Sequence, residues 1–302
     1  MGSKIFADLH NHTTASDGDF PPEKLVKQAR DLGLKALGIT DHDTLKGLAK
    51  AIRAGDDSQI EIIPGVEVSI RFKRPFFTGT LHMLCYFSRA RLADESFVQA
   101  FESILAQGRG EGLVRDRVAQ INRVFGPKGA SPLLKRDLLF QDIADYSANA
   151  TRRHFALALA EKLGLEGKEI INQVIGNNSP AYLPSGIELS QGVAIIQQLP
   201  VVAVLAHPAA GSFPGEGHYK EVLPPIDVVE QLLPEFIEAG IKGLEVYYPG
   251  HTQEHRHLLK LWAKKYNLFL TGGSDCHDAT ERPPGVCGIS QLEFNLFKGA
   301  IP

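Results

Sequence analysis

Cysteine is scarce in this chain: three among 302 residues, Cys85, Cys276 and Cys287, widely separated and with no Cys-x-x-Cys pair. That spacing argues against a disulfide framework and against a thiolate zinc site, and it fits a reducing cytoplasm. Charge of one sign is also in short supply. With a formal net charge of -3 and a sequence pI of about 6.4, the surface lacks the basic character of a large duplex footprint, although local charges could still hold a small phosphate-bearing substrate. No apolar run approaches the roughly 20 residues needed to span a bilayer, and the N-terminus enters a strand without a signal-peptide core, so no membrane association is expected. Internal repeats, low-complexity tracts and heptad runs are missing too. Gly272-Gly273 lies in no Gly-x-Gly-x-x-Gly or Walker pattern, which excludes the usual phosphate-cradling loop.

What the chain does have is a repeated plan. Ile5-Phe6-Ala7-Asp8-Leu9-His10-Asn11-His12 is a short strand-forming run that ends in two histidines two positions apart. In an extended chain residues i and i+2 share a face, so both imidazoles can converge on one point. Five further apolar runs end in a histidine, an aspartate or a glutamate. They carry Asp41 and His42, Glu67, His82, His207, and Asp275 with His277. Of the 11 histidines, six (His10, His12, His42, His82, His207 and His277) occupy such strand ends. Random placement does not account for that clustering, and the arrangement reads as a metal centre at the C-terminal ends of barrel strands, where the loops after each strand converge. Asp41 and Asp275 flank ligand histidines, either as ligands themselves or as acceptors that orient an imidazole. Gly272-Gly273 then reads as a place where backbone approaches the metals closely.

With 43% hydrophobic residues the chain can bury a substantial core, as one large α/β domain or a domain with an insertion. From Ile5 to about Phe87 the pattern is strand, helix, strand, helix, strand, strand, with Pro21-Pro22 opening the first helix and Gly33 ending it. A second helix is expected from near Thr44. Around Ala90 the rhythm changes to helical patterns alone, including helices over 97–105, 113–124, 135–144, 152–163 and 168–175. After Pro184 alternation returns with helices over 189–198, 228–239 and 252–265 and strands over 201–205, 243–247 and 268–271. The domain reading is therefore 1–89 with 190–302 as one barrel, interrupted by a helical insertion over 90–189 that caps the active site.

His10-Asn11-His12, Thr40-Asp41-His42, Gly65-Val66-Glu67, Ala206-His207-Pro208 and Gly273-Ser274-Asp275-Cys276-His277, in this order, resemble the motifs of the PHP (polymerase and histidinol phosphatase) superfamily. The resemblance covers roughly Ile5 to Ser88 and Gln191 to His277. It implies a distorted (β/α)7 barrel with two to three divalent metal ions. Thr13 to Gly18, Thr151-Arg152-Arg153-His154-Phe155 and Ala181-Tyr182-Leu183-Pro184 resemble the bacterial branch that hydrolyses nucleotide phosphates, which includes 3′,5′-nucleotide bisphosphate phosphatases and a 5′-exoribonuclease. Carried over by position, it implies one metal held by His10, His12, Glu67 and Asp275. A second would share Glu67 with His82 and His207, and a third would use Asp17, His42 and His277 with Asp275 as bridge. Asp17 stands where many relatives have histidine, which shifts preference from zinc toward the harder Mn or Fe or lowers occupancy.

Such metals imply hydrolysis of a phosphate ester by activated water, without a side-chain nucleophile. Arg152, with Arg153 second, is the expected phosphate clamp, because a planar guanidinium matches two phosphate oxygens. His154 could contact phosphate or protonate the leaving oxygen, and His251, past another strand end, is the other candidate general acid. Glu245, within a strand, is at most a partner of a ligand. His218, His255 and His257 read as surface residues. Asparagines at 177 and 178 replace a basic residue of some relatives, with Lys128, Lys135 and Arg136 as potential substitutes. The expected partner is a small phosphorylated substrate, a nucleotide or short oligonucleotide. The alternatives are a small-metabolite phosphatase of the histidinol type and a non-catalytic metal-binding module.

Overall fold

The computed structural model describes residues 5–147, 149–214 and 223–302. His218 lies outside them. The apolar runs become strands β1 (Ala7–Asp8), β2 (Ala36–Ile39), β3 (Glu61–Arg74), β4 (Phe77–Tyr86), β5 (Ile187–Glu188), β6 (Val202–Leu205), β7 (Gly243–Tyr247) and β8 (Phe269–Gly272). Seven of them follow one path, β1-β2-β3-β4-β6-β7-β8, with the short β5 paired onto β3. Neighbours are parallel except around β4, which runs antiparallel to both β3 and β6. The path nearly closes on itself. Leu9 N donates to Gly272 O at 3.1 Å and His12 N to Cys276 O at 2.9 Å, joining the start of the chain to the end of β8. The expected distorted seven-stranded barrel is therefore present, and the single reversed strand is its distortion.

Period-two alternation decides what faces the barrel interior. In β4, Leu84 and Tyr86 join an inner apolar cluster while Met83 and Cys85 join the outer one. In β6, Val202 and Val204 point in, and Ala203 and Leu205 point out. By the same parity His82 on β4 and Glu67 on β3 face inward. In β7 the outer residues are Leu244 and Val246, which turns Glu245 to the inside. The helices α1 (Pro22–Asp31) and α2 (Leu48–Ser58) follow β1 and β2. The second starts at Leu48 rather than near Thr44, after a turn in which Lys46 N donates to Thr44 Oγ1 and Leu48 N to Leu45 O.

Five helices separate β4 from β5: α3 (Glu95–Leu105), α4 (Glu111–Phe125), α5 (Phe140–Ala144), α6 (Arg152–Glu161) and α7 (Lys168–Ile175). They divide between two cores. Phe97, Phe101 and Leu105 of α3 pack into the outer barrel core, whereas α4 to α7 build their own around Val118, Ile121, Phe155, Leu159 and Val174. The chain enters and leaves this lobe at Gly108 and Gly186, where Gly186 N donates to Gly108 O at 2.9 Å. A Cβ on Gly108 would lie 2.4 Å from the Gly186 carbonyl carbon, so the crossing requires a residue without a side chain. The helix expected over 135–144 begins only at Phe140, because the Asn122 side chain brackets Leu138, accepting from its N–H and donating to its carbonyl at 2.8 Å each.

After β5 the alternation resumes with α8 (Leu189–Gln198), α9 (Ile226–Ala239), α10 (Gln253–Tyr266) and a final α11 (Gln291–Gly299). That last helix, unread in the sequence, places Phe294 and Phe297 in the inner cluster with Ala7, Leu84 and Tyr86. Among the described residues no helix is long and apolar enough to cross a membrane.

Candidate metal centre

His10 and His12 sit just past β1, and their Nε2 atoms lie 3.2 Å apart. Glu67, at the inward position of β3, places Oε2 3.2 Å from His10 Nε2, 3.1 Å from His12 Nε2 and 3.2 Å from His42 Nδ1. Its other oxygen, Oε1, is 3.0 Å from both His82 Nδ1 and His207 Nε2. Asp275 adds Oδ1 at 3.4 Å from His10 Nε2, 3.1 Å from His12 Nε2 and 3.5 Å from His277 Nδ1. Asp17 Oδ1 lies 3.3 Å from His277 Nε2. All nine residues expected as ligands thus meet at one end of the barrel.

Three overlapping sets emerge. His10, His12, Glu67 and Asp275 form one; His12, Asp17, His42 and His277 a second; and Glu67 with His82 and either His42 or His207 a third. Their spacing has a physical meaning. Ligand atoms about 2.0–2.2 Å from a common cation lie about 2.8–3.1 Å from their cis neighbours in an octahedral shell and about 3.3–3.6 Å apart in a tetrahedral one. The side chains are buried, yet Glu67 Oε2, Asp17 Oδ1 and His42 Nδ1 have no hydrogen-bond partner despite these close neighbours. Buried polar atoms left in that state are costly. A cation among them satisfies them together, and imidazole with carboxylate suits first-row divalent ions.

The charge pattern points the same way. Burial opposes ionisation of Glu67, but His82, His10 and His42 outweigh it and hold the carboxyl well below its ordinary range. Burial likewise opposes the charged form of Asp275 and is outweighed by Arg282 and His10; for Asp17 the counterweights are His277 and His42. Against its own burial penalty, His12 is pushed up to about 9 by Asp275 and Glu67. His10 and His12 thus hold protons where a cation would sit, so loading their set releases them, whereas burial pushes His42 and His277 down.

Neighbours fix the ligands. Glu245 offers its carboxylate to His10 Nδ1 at 3.1 and 3.2 Å, and accepts from His207 N at 2.8 Å. Asp41 accepts from Thr13 N, Thr13 Oγ1 and Ser16 Oγ, each at 2.7 Å, while that serine hydroxyl stands 3.4 Å from His12 Nδ1. Ser16 thus stands between Asp41 and the His12 imidazole. Tyr248 OH and Arg282 both donate to Asp275 Oδ2, leaving Oδ1 toward the histidines. Close packing enforces the geometry: a Cβ on Gly273 would fall 2.4 Å from His10 N.

A cavity of about 580 Å³ opens over the cluster. One wall is the lobe, with Thr151, Arg152, Arg153 and Lys168; another carries Arg282, and Arg109 lines it as well. Arg152 Nη2 donates to Asn177 Oδ1 at 2.8 Å and its guanidinium lies over the Tyr182 ring at 5.3 Å. Arg136 is instead paired with Asp142, and neither it nor Lys128 and Lys135 reaches the cavity; Lys168 supplies the additional cation. His154 Nδ1 accepts from Thr151 N at 2.9 Å, closing the cap of α6, and its pKa is lowered by burial. His154 does not line the cavity, and neither does His251. Its Nε2 accepts from Ala209 N at 3.2 Å and its Nδ1 faces Val246 O at 3.0 Å, so both nitrogens are spent on backbone. Arg109, Arg282, Tyr248 and Lys168 were not read from the sequence. Only the position of Arg282, seven residues past Asp275 in the loop after β8, gave any hint of it.

A barrel mouth that gathers histidines and carboxylates around cation-sized gaps, under a cavity into which arginines also reach, is the site of a metal-dependent hydrolase. Residues 8–109 match the PHP domain. That match covers about a third of the chain and takes in β1 to β4. Along nearly its whole length the chain is similar to a 5′-3′ exoribonuclease of Haemophilus influenzae, at 26% identity over 96% of this chain and 93% of the relative. A phosphoribosyl 1,2-cyclic phosphate 1,2-diphosphodiesterase of Eggerthella lenta is 26% identical over 93% and 98%. A 3′,5′-nucleoside bisphosphate phosphatase of Chromobacterium violaceum is 26% identical over 97% and 98%. A solved structure from Bifidobacterium adolescentis, described as a candidate metal-dependent phosphoesterase, aligns with a TM-score of 0.74 at 25% identity, covering 98% of this chain and 96% of that one.

Proposed function

We propose that this phosphoesterase hydrolyses a phosphate ester of a nucleotide or short oligonucleotide, such as a nucleoside 3′,5′-bisphosphate, using two or three divalent ions drawn from Mn, Fe and Zn. The observation that carries the reading is the position of the ligand cluster at the floor of a cavity walled by Arg152, Arg153, Lys168, Arg109 and Arg282. Such a volume exceeds the needs of inorganic phosphate and lies within the range of small-molecule sites. The exoribonuclease and the bisphosphate phosphatase among the relatives support the nucleotide class.

In this reading His10, His12, Glu67 and Asp275 hold one ion. Glu67, His82 and His207 hold another, and Asp17, His42 and His277 a third. Bound there, the ions supply Lewis acidity toward water and the phosphoryl oxygens. The protein's own groups do the rest. Arg152, steadied by Asn177 and Tyr182, presents a planar fork to the substrate phosphate, with Arg153 and Lys168 nearby. The cap to Thr151 fixes the neutral tautomer of His154 with its proton on Nε2, and we assign that N–H, rather than His251, a hydrogen bond to a substrate phosphate oxygen. The helical lobe covers the barrel mouth and excludes water.

The test is phosphate release with Mn²⁺, before and after chelation, from a nucleoside 3′,5′-bisphosphate, a nucleoside monophosphate, a 5′-phosphorylated trinucleotide and histidinol phosphate, with turnover of phosphoribosyl 1,2-cyclic phosphate followed in parallel. Turnover of the bisphosphate or the trinucleotide is expected. Activity on histidinol phosphate or the cyclic ester alone would move the substrate class to small metabolites, and silence across the panel would defeat the reading.

A further inference from the structure

The ligands of the three ion sets are held in different ways. His10 and His207 are fixed by Glu245, and Asp275 by Tyr248 and Arg282, all within the barrel. The set built on Asp17, His42 and His277 is instead tied to the helical lobe at each ligand. Asn149, in the segment leading into α6, donates its side-chain N–H to His42 O at 2.7 Å. Asp43, next in the chain and held in the left-handed region at φ 48°, is paired with Arg109 at the entrance to the lobe. Arg153 of α6 binds Asp19 Oδ1 at 2.9 Å, two residues from Asp17, and Asp19 N in turn donates to His277 O at 2.7 Å.

These contacts engage the backbone of a ligand or a residue one or two positions from it, and the ligand atoms Asp17 Oδ1 and His42 Nδ1 remain buried without hydrogen-bond partners of their own. Arg153 also adjoins Arg152, the residue offered to the substrate phosphate. From this we infer that docking of the helical lobe assembles the third ion site: Asn149 and Arg153 are positioning residues for Asp17, His42 and His277, and occupancy of that site depends on the seating of the lobe. The other ion sites are complete without it. The inference rests on the metal-dependent reading of the same centre and adds to it a coupling between the substrate-facing lobe and one ion.

Metal content tests it without reference to turnover. The protein is stripped by chelation, reloaded with Mn²⁺ or Zn²⁺, and its ions are counted by elemental analysis and by calorimetric titration in the absence of substrate. Asp17→Ala, which removes a ligand of that set alone, marks which binding step belongs to the third site. Wild type is expected to bind three ions. Asn149→Ala and Arg153→Glu should keep two with unchanged affinity and lose at least about tenfold in affinity for the third, the lower end of the range for residues that orient metal ligands. Arg153→Glu combined with Asp19→Lys, which restores the pair in reverse, should recover it. Unchanged thermal unfolding of the stripped variants separates this from loss of the fold. Retention of all three affinities in both single variants would overturn the inference, as would a wild type that hydrolyses phosphate esters with only two ions. A wild type that binds no ion and hydrolyses nothing would instead defeat the functional reading beneath it.

Discussion

Glu245 and His10, separated by 235 positions in the chain, meet inside the barrel with the imidazole Nδ1 3.1 and 3.2 Å from the two carboxylate oxygens. Nε2 of the same ring is thereby left for the cation cluster. The arrangement is the carboxylate–histidine pairing that fixes a ligand's tautomer and raises its basicity.

Replacing Glu245 by glutamine keeps the shape but removes the charge. The same side chain accepts from His207 N, so two ligand histidines lose their orientation together. Metal affinity or kcat should fall about 10- to 100-fold while the fold persists. Metal titration and steady-state kinetics check this, and an unchanged variant would make Glu245 a mere packing residue.

Glu67→Gln removes the carboxylate whose two oxygens face five imidazoles. Hydrolysis should drop by more than about a hundredfold, beyond the effect expected for a neighbour of the ligands. Because the surrounding imidazoles hold Glu67 ionised in the stripped wild type, the variant's thermal unfolding without metal should come at a somewhat lower temperature. Full activity would remove Glu67 from the centre, and His12→Ala offers an independent check on the shared set.

Arg152→Ala should raise KM about tenfold or more, since a charge-assisted hydrogen bond contributes about 1.5–3 kcal/mol. Metal content should stay the same. A variant with wild-type KM and kcat would leave Arg152 a structural arginine held between Asn177 and Tyr182.

His251 yields a pH prediction. Burial pushes its pKa down to about 3, and protonating Nε2 would turn it from acceptor to donor against the Ala209 N–H. In the unfolded chain the ring titrates at about 6.5. The unfolded state therefore takes up the proton first, so the contribution of this histidine is complete above about pH 6.5 and is lost as pH falls toward 3. Comparison of wild type with His251→Gln by chemical denaturation should show the wild-type advantage shrinking by about 2 kcal/mol between pH 6.5 and 5. A gap that does not vary with pH would contradict the assignment.

The strand ends and the nine clustered side chains were legible because a short period-two run followed by a histidine or carboxylate fixes both a face and an end of the barrel. Gly273 was legible for a related reason: its neighbours demanded close approach, and the structure shows a Cβ there colliding with His10. Arg109, Arg282 and Tyr248 were not legible, since long-range packing alone decides where a loop residue points. For α3 the pattern is helical in either core, and only the packing of Phe97 and Phe101 shows that it adheres to the barrel. His251 followed a strand end like the ligands, yet the turn after β7 sends its ring into backbone rather than toward the cavity.

The central claim, a phosphoesterase that depends on its cation cluster, is tested most directly by one paired measurement. Purified protein is stripped of metal, and phosphate release from a nucleoside 3′,5′-bisphosphate and from a 5′-phosphorylated trinucleotide is recorded as Mn²⁺ is added back against bound metal. The account predicts no release from the stripped protein and recovery that saturates as two or three ions bind. Release that persists without metal, or a fully loaded protein that cleaves neither compound, would contradict it.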